Sequence, residues 1–467
     1  MNRKVRFCFL MLVSVMVLTM SLSGCGGASQ QASTQASQAD SNAAAVTPSQ
    51  INSGEKVTIS HFTIGNEDKT WIKDVMPDFE KTHPNVKMEF ITVPYEEFDA
   101  KLRTMIAGGT SPDVTSHYGA GGFIEYYNKN MILDLTPLMS AAKYNPVDEG
   151  VRDDLLKIYN VNGKQYGIPV SAYVSMLFYN KDMFDKAKLP YPTTDYEDKS
   201  WTFDAMVEVA KKLTTISPNL EDCQFGLKFD EWSDRDMRPI YFGAKVYSDD
   251  TWTNGGYPSE CYYGSPEAIK ATQRYTDLIY KDKVAPTQED VKAMGNGAVF
   301  ATGKVGMYAT GAWVLASAKD CPFQIGVAAI PWGGNDKARD VLYVDPLMIL
   351  KDSKHPAEAL EWIGYLTSKD VQEIAIDKAN NPPANKLAYD KYFSSVKGVD
   401  PAAMKAVVDG GIKYGTEAYN HLVSNSSQII DAIINEMGPN ENTGAPAEQY
   451  CKNTQEKVDK ILKENKK

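Results

Sequence analysis

Apolar and polar positions follow a regular order between residues 57 and 115. Apolar residues alternate with polar ones over 57–62 and again over 86–90, and each alternation predicts a β-strand. Apolar residues recur at helical spacing over 71–79 and 98–106, which predicts two amphipathic helices. With a short strand around 113–115, the order strand, helix, strand, helix, strand predicts an α/β fold on a mainly parallel sheet.

In open parallel sheets, ligands bind beyond the carboxyl ends of the strands. The predicted order places two turns there, one after the first strand and one after the third. The first turn carries Asn66 and Glu67, and the second carries His117 and Tyr118. We take these four as candidate ligand-binding residues, although loops also carry polar residues for solubility alone.

The pattern changes after residue 165, where helices become more frequent. Strands are predicted over 175–180, 327–330 and 343–350, and helices over 203–213, 266–280 and 356–367. We find no internal repeat in the chain. A length of 467 residues predicts two domains, each large enough to bury a core of its own.

The amino terminus predicts export and a lipid anchor. Three basic residues precede an almost purely apolar run over 7–22, which suits a signal peptide but is too short to span a membrane. The run ends in Leu-Ser-Gly-Cys, which resembles a bacterial lipobox. We therefore expect residues 1–24 to be a lipoprotein signal peptide and Cys25 to be lipidated; the alternative is an ordinary signal peptide with a chance cysteine.

Residues 25–54 predict a flexible tether, because they are rich in Gly, Ala, Ser, Gln and Thr and hold almost no large apolar side chains. Removal of residues 1–24 lowers the formal charge from −11 to −14, since that segment holds three basic residues and no acidic one. An acidic protein of this kind is poorly suited to binding nucleic acid or an anionic lipid surface.

Cysteine usage argues against metal binding and dithiol chemistry. Cys223, Cys261, Cys321 and Cys451 remain after the anchor, and no pair has CxxC spacing. Cys223 and Cys261 are the nearest pair in sequence, and a disulfide and buried free thiols both stay open. We predict no cofactor and no metal.

Catalytic motifs are also missing from the sequence. We find no HExxH zinc pair, no GxSxG nucleophile elbow and no GxGxxG fingerprint, and the five histidines are scattered. Acidic residues are abundant, but most acidic pairs on helices solvate a surface. We therefore predict that the chain is not an enzyme; a secreted glycan-degrading enzyme is the less favoured alternative.

Short motifs with fixed spacing lie along most of the chain. One is Phe-Ala-Thr-Gly-Lys-Val-Gly-Met at 300–307, followed by Gly-Ala-Trp at 311–313. Further motifs are found at 79–86, 107–114, 163–169, 178–184, 201–204 and 382–386. Together, over residues 56–450, they resemble the family 1 extracellular solute-binding proteins of ABC importers, the group that includes maltose-binding protein. The chain departs from the family pattern at Gly306, where Ala is usual, and at Pro382, where Leu or Val is usual.

This resemblance implies a two-lobed, periplasmic-binding-protein-like α/β fold with strands that cross between the lobes and a ligand cleft. The amino-terminal lobe is expected to comprise 55–170 and 313–354, and the carboxy-terminal lobe 171–312 and 355–467. Hinge closure of such lobes buries a ligand. The expected function is capture of a small ligand, most often a mono- or oligosaccharide, for delivery to the permease subunits of an ABC transporter.

A sugar site needs aromatic platforms with polar groups at their edges. Trp313 lies in the family-like Gly-x-Trp motif and Tyr173 follows the first predicted crossing, so both are candidate ligand contacts. Trp232 and Trp252 lie in polar loops, and Asp345 interrupts an apolar strand. The structural alternatives are hinge packing for Trp313, an exposed loop for Trp232, a hairpin turn for Trp252 and a turn before Pro346 for Asp345. Two other tryptophans, Trp71 and Trp362, fit helical core stripes and are predicted to be structural.

Several alternatives keep the fold but change the role. An acidic cleft would also suit a polyamine, and an oligopeptide or a metal chelate stays open. A sensory protein that hands its ligand to a receptor would have the same sequence features. We expect a monomer, held at the extracellular face of a bacterial, Gram-positive cell membrane by its lipid anchor.

Overall fold

The computed structural model describes residues 55–65, 69–229, 237–295, 299–334, 340–417 and 423–465. The predicted signal peptide, the anchor Cys25 and the predicted tether lie outside these ranges, as do Asn66, Glu67 and Trp232. Among the helices within them, none combines the length and the apolar character that crossing a membrane requires.

The strands and helices alternate along the chain. The strands are β1 (Val57–Ile64), β2 (Val86–Val93), β3 (Val114–Thr115), β4 (Asn160–Val161), β5 (Lys164–Gln165), β6 (Ile168–Asn180), β7 (Phe225–Phe229), β8 (Val305–Gly311), β9 (Ile325–Ala328), β10 (Asp340–Ile349) and β11 (Gly415–Glu417). The helices of the first half are α1 (Trp71–Thr82), α2 (Phe98–Ala107), α3 (Gly122–Asn128), α4 (Thr136–Ala142), α5 (Asp153–Leu156), α6 (Lys181–Ala187), α7 (Phe203–Leu213) and α8 (Arg238–Tyr241).

Longer helices are more frequent towards the carboxyl end. They are α9 (Pro266–Tyr280), α10 (Gln288–Ala293), α11 (Pro356–Thr367), α12 (Lys369–Ala379), α13 (Tyr389–Phe393), α14 (Pro401–Lys413), α15 (Ser426–Glu441) and α16 (Ala447–Asn465). Short 3₁₀ helices cover Tyr95–Glu97, Lys157–Tyr159, Leu220–Asp222, Phe300–Thr302, Ala312–Asp320 and Lys386–Ala388.

Local sequence explains where several helices begin. The side chain of Thr202 accepts from the Ala205 amide and caps α7, and Ser265 caps α9 through the Ala268 amide. Pro266 then occupies the first turn of α9, where its missing N–H costs nothing. Both helices, like α11, have the bounds that the hydrophobic spacing predicted.

The large sheet joins a parallel part to an antiparallel part. β1 pairs with β2 and β3 in parallel, as predicted, and the order across the sheet is β2-β1-β3-β10-β6-β8-β7. β10 runs antiparallel to both β3 and β6. The second half of β6 pairs with β8 on one side and β9 on the other.

Two strands serve two separate hydrophobic cores. β6 contributes Ile168 to the core that contains β1 and α1, and Leu177 to the core that contains α7 and β7. β10 likewise contributes Ile349 to the first core and Val341 to the second. We call the parts around these cores the first and the second lobe. The predicted two-lobed α/β fold with crossing strands is confirmed, while the lobe boundaries stay a prediction.

The lobes separate along one edge of β10. On this edge, β3 pairs with residues 348–349 and β11 pairs with residues 340–342, while β6 occupies the opposite edge. Between these pairings, no strand in the described part of the chain borders residues 343–347. The resulting gap, between β3 on one side and β11 on the other, lies where the family resemblance implies the ligand cleft.

The cysteines are free in this structure. Cys223, Cys261 and Cys451 are buried and Cys321 is half-buried. Burial raises the pKa of the Cys261 thiol to about 12, so this cysteine is unreactive at neutral pH. Of the two alternatives that the sequence left open, the structure therefore has free thiols.

Candidate functional site

One face of the two crossing strands forms the floor of the cleft. In the antiparallel register, Tyr343 lies opposite Tyr173, and Asp345 lies opposite Ser171. Side chains two apart on a strand share a face, and directly opposed residues share it too. We call this set of four residues the crossing face. The pairing is irregular between Asp345 and Pro346, so the strand bends immediately after the carboxylate.

Asp345 is held as a buried carboxylate by two residues of the first lobe. The Lys69 ammonium contacts its Oδ2 atom, and the His117 Nδ1 atom lies 3.2 Å from its Oδ1 atom. Burial alone would raise the pKa of Asp345, but the charge of Lys69 and the hydrogen bond from His117 outweigh it and hold that pKa at about 2. The residue is therefore ionised at any physiological pH.

A hydrogen-bonded chain continues across the crossing face. Lys69 Nζ donates to the Tyr173 hydroxyl at 3.1 Å, and that hydroxyl donates to Asn381 Oδ1 at 2.9 Å. The same Asn381 oxygen accepts from the Ser171 hydroxyl at 3.1 Å. Five segments far apart in sequence therefore converge on one polar network.

The network has open positions. Asn381 Nδ2 and His117 Nε2 are buried atoms with no hydrogen-bond partner in the described part of the protein. A buried polar atom without a partner costs about 1–3 kcal/mol. A ligand or solvent molecule that pairs with these atoms is therefore favoured at the floor of the cleft.

Aromatic surface borders this polar network. Trp313 is the second residue of the 3₁₀ helix after β8, and its ring meets the Tyr343 ring edge-on, with centroids 5.1 Å apart. The Tyr173 ring lies 6.1 Å from the Trp313 ring on the other side. Trp313 and Tyr343 are both half-buried, so part of each ring remains accessible. Gly311 permits this arrangement, because a Cβ atom there would lie 2.1 Å from the indole.

Tyr118 and Trp252 have other surroundings. Tyr118 is only 1% exposed, stacks on His117 and donates its hydroxyl to the Val344 carbonyl at 3.2 Å. Tyr118 therefore holds the orientation of the His117 ring by stacking on it. Trp252 is half-buried and stacks on Phe123 with centroids 6.0 Å apart. The structure brings Trp313, Tyr173, His117 and Asp345 together, and it places Trp252 against the first lobe.

Three residues of the site were missed by the sequence reasoning. Lys69 was missed because a lysine in a turn is usually solvated, although it closes the predicted turn that also holds Asn66 and Glu67. Asn381 directly precedes the family-like motif at 382–386, which could have drawn attention to it.

The third missed residue is Glu417, at the end of β11. Burial raises its pKa well above the ordinary range, and its charge, together with that of Asp345, acts on buried Tyr159. Glu417 pairs with Leu342 of β10, so it lies on the second-lobe side of the gap. No periodic pattern leads to this position, because β11 is only three residues long.

The chain is similar to known proteins over most of its length. Residues 64–373 match the model of a family described as bacterial extracellular solute-binding protein. A putative binding protein of Brucella abortus is 25% identical over 400 residues, which cover 82% of this chain and 89% of that protein. The multiple sugar-binding protein of Streptococcus mutans is 25% identical over 347 residues, or 71% of this chain and 76% of that protein.

A solved structure shares the fold. The ABC substrate-binding protein of Listeria monocytogenes in complex with cycloalternan superimposes with a TM-score of 0.74 at 24% identity. The match covers 88% of this chain and 100% of that chain. The lobes and crossing strands described above are thus a known arrangement.

Proposed function

Because the chain belongs to the bacterial extracellular solute-binding proteins, we propose that its solute is a mono- or oligosaccharide, which it delivers to the permease of an ABC transporter. The observation that carries this proposal is the crossing face, where half-buried aromatic rings adjoin an ionised carboxylate. A sugar presents apolar C–H faces together with hydroxyl groups, and these two surfaces complement it.

Named residues supply each kind of contact. Trp313 and Tyr343 offer ring surface, and Asp345 accepts hydrogen bonds from sugar hydroxyls. His117 Nε2 and Asn381 Nδ2 have free hydrogen-bonding capacity at the same place. The candidates Asn66, Glu67 and Trp232 lie outside the described residues, and we keep them as proposed contacts from their positions in the sequence.

Relatives favour a carbohydrate over the other ligands. The Streptococcus mutans relative is named for multiple sugars, and the Listeria monocytogenes structure holds cycloalternan. A polyamine would need an uncompensated carboxylate, but the charge of Asp345 is already neutralised by Lys69. Neither a peptide nor a metal chelate is favoured by any contact of the crossing face.

The carboxylate chemistry also disfavours glycan hydrolysis. Asp345, with a pKa of about 2, cannot supply the proton that a general acid must hold near neutral pH, and the family to which the chain belongs is one of binding proteins. We therefore propose binding without turnover.

The protein is an extracellular one, as its family is. We further propose that cleavage before Cys25 leaves a lipidated cysteine, that residues 25–54 act as a tether, and that a monomer works beside its permease on a Gram-positive cell membrane. The lipobox-like Leu-Ser-Gly-Cys and the length of the polar segment support this arrangement.

A carbohydrate panel tests the proposal. A ligand that binds only the folded state raises its melting temperature, so a mono- or oligosaccharide in the panel should give a thermal shift and a change in tryptophan fluorescence. The Trp313→Ala variant should lose both responses. Trp332→Ala, which alters another half-buried tryptophan beside α7, should keep them.

Two results would contradict this function. A response to polyamines or peptides with none to any sugar would overturn the ligand class. Release of shorter glycans from a bound oligosaccharide would overturn the binding role itself.

A further inference from the structure

α3, which the predicted boundaries assign to the amino-terminal lobe, touches the turn at 252–256 and the start of α15, which they assign to the carboxy-terminal lobe. The Phe123 ring of α3 stacks on Trp252, with an angle of 26° between the ring planes. Asn128 Nδ2, at the end of the same helix, donates to the Gly255 carbonyl at 3.0 Å and lies 3.4 Å from the Ser424 hydroxyl. The Ser426 hydroxyl donates to the Ala120 carbonyl just before α3. All these partners are protein groups, so the contacts need no ligand.

The first-lobe side of this contact is firmly held. Asp99 of α2 accepts from the Gly121 amide at 2.9 Å and from the Tyr126 hydroxyl at 2.6 Å, which fixes both ends of the turn into α3. Phe123 packs edge-on against Tyr159, with centroids 4.9 Å apart. The helix therefore presents Phe123 and Asn128 on a rigid support.

The second-lobe side is a turn whose backbone conformation depends on two glycines. A separate hydrophobic cluster supports this turn. Gly255 and Gly256 have φ of 65° and 84°, in the left-handed region that favours glycine. The Gly256 carbonyl accepts from the Ser424 amide at 2.7 Å and so ties the turn to the start of α15. Behind it, Tyr247 and Tyr263 pack in one hydrophobic cluster with α15 and α16.

We propose that Phe123, Asn128, Trp252, Gly255, Ser424 and Ser426 form an interlobe latch that holds the lobes closed independently of ligand. Protein contacts alone then contribute to the free energy of lobe closure. The latch therefore sets the fraction of ligand-free molecules that are closed. The contacts are aromatic or neutral hydrogen bonds, so this contribution is insensitive to salt.

The latch has a consequence for binding, which rests on the proposed function. The apparent dissociation constant depends on how much of the protein is in the conformation that holds the ligand. The latch residues therefore tune sugar affinity without touching the sugar. For Trp252 this role differs from that of a sugar platform, which the sequence suggested.

The distance between the lobes in ligand-free protein tests the latch. Fluorophores would be attached to azide-bearing residues that replace exposed Lys101 on α2 and exposed Lys270 on α9, and energy transfer would be measured in single molecules. Asn128→Ala removes one or two neutral hydrogen bonds, so the ratio of closed to open molecules should fall about threefold to tenfold. Trp252→Ala should lower the ratio by a similar factor.

A matched variant serves as the control. Asn453→Ala removes an asparagine of α16 that bonds to Glu436 within the second lobe, so it should leave the ratio unchanged. Wild-type distributions in both latch variants would overturn the proposal, as would a wild-type protein with no closed population. The readout uses no sugar, so it is unaffected if the carbohydrate proposal fails. If a sugar does bind, weaker binding by Trp252→Ala with unchanged ligand-free distances would assign Trp252 to the ligand instead.

Discussion

Two buried ion pairs in this protein have similar chemistry and different surroundings. Lys69 and Asp345 are 3% and 8% exposed in their side chains, and Arg238 and Glu441 are 2% and 4% exposed. Arg238 Nη1 lies 2.5 Å from Glu441 Oε1, and its guanidinium carbon lies 3.6 Å above the Tyr275 ring. That pair joins α8, α9 and α15 within the second lobe.

The pair at the crossing face has a different set of neighbours. Its carboxylate is shared with His117, its ammonium with Tyr173, and the network ends in two buried atoms that lack a hydrogen-bond partner in the described part of the protein. The Arg238 pair packs helices together, whereas the Lys69 pair fixes groups at the edge of an opening. Burial of charge therefore does not by itself identify a binding site; the neighbours of the pair do.

The largest expected effect is on stability, in the second lobe. Glu441→Gln removes the carboxylate charge that lies 2.5 Å from the buried Arg238 guanidinium, and the free energy of unfolding should fall by about 3–5 kcal/mol. Urea denaturation measures this change. The double variant Arg238→Met with Glu441→Leu should recover much of the loss, because no unpaired charge remains. Sugar affinity of the folded Glu441→Gln protein should stay within about twofold of wild type, and a larger loss would remove the contrast.

A substitution at the crossing face should lower both the stability of the protein and its affinity for sugar. Asp345→Asn removes the buried negative charge that the Lys69 ammonium contacts, so the free energy of unfolding should fall by about 2–3 kcal/mol. Sugar affinity should fall by at least about tenfold, equivalent to about 1.4 kcal/mol of binding free energy. Isothermal titration calorimetry of this variant beside Glu441→Gln makes the comparison directly. Loss of stability with unchanged affinity would make the Lys69 pair purely structural.

The smallest expected effect on stability comes from His61, a buried side chain that is neutral, unlike the members of the two ion pairs. Trp362 Nε1 donates to His61 Nδ1 at 2.9 Å, so the proton of the neutral ring is on Nε2, which lies 2.9 Å from the Ser116 hydroxyl. Burial lowers the pKa of His61 to about 3. The unfolded chain, with a histidine pKa near 6.5, therefore binds more protons between these two values.

The sign follows from that proton difference. The stability due to neutral His61 is present above pH 6.5 and is lost as the pH falls, by about 2 kcal/mol between pH 7 and pH 5. Denaturation at a series of pH values should give a flatter profile for His61→Gln than for wild type over this window. Parallel profiles would mean that folding does not lower the pKa of His61.

Much of the fold could be predicted from the sequence, because one-sided burial leaves a periodic pattern. All five apolar positions of the predicted first helix face, including Trp71 and Phe79, are buried, and Trp362 is fully buried, as predicted. The strand predicted over 175–180 proved to be only the second half of β6. All thirteen residues of β6 are buried, so no alternation marks where it begins.

The site was predictable only in part. Position after a strand led to His117, and an interrupted apolar pattern led to Asp345, and the structure brings them within 3.2 Å. Lys69 is 276 positions from Asp345 in sequence, and no local pattern joins them. Polar residues that meet only through tertiary folding leave no periodic signal. The candidate ligand contacts themselves stay predictions until a complex is measured.

β6 makes the two lobes one cooperative unit. A single uninterrupted strand supplies interior residues to both hydrophobic cores, so neither core can lose the strand without exposing part of the other. Heating should therefore melt the lobes in one calorimetric transition, even though they move separately about the hinge. The same arrangement means that neither lobe is a transferable module, because a cut on either side of β6 deprives one half of an interior strand.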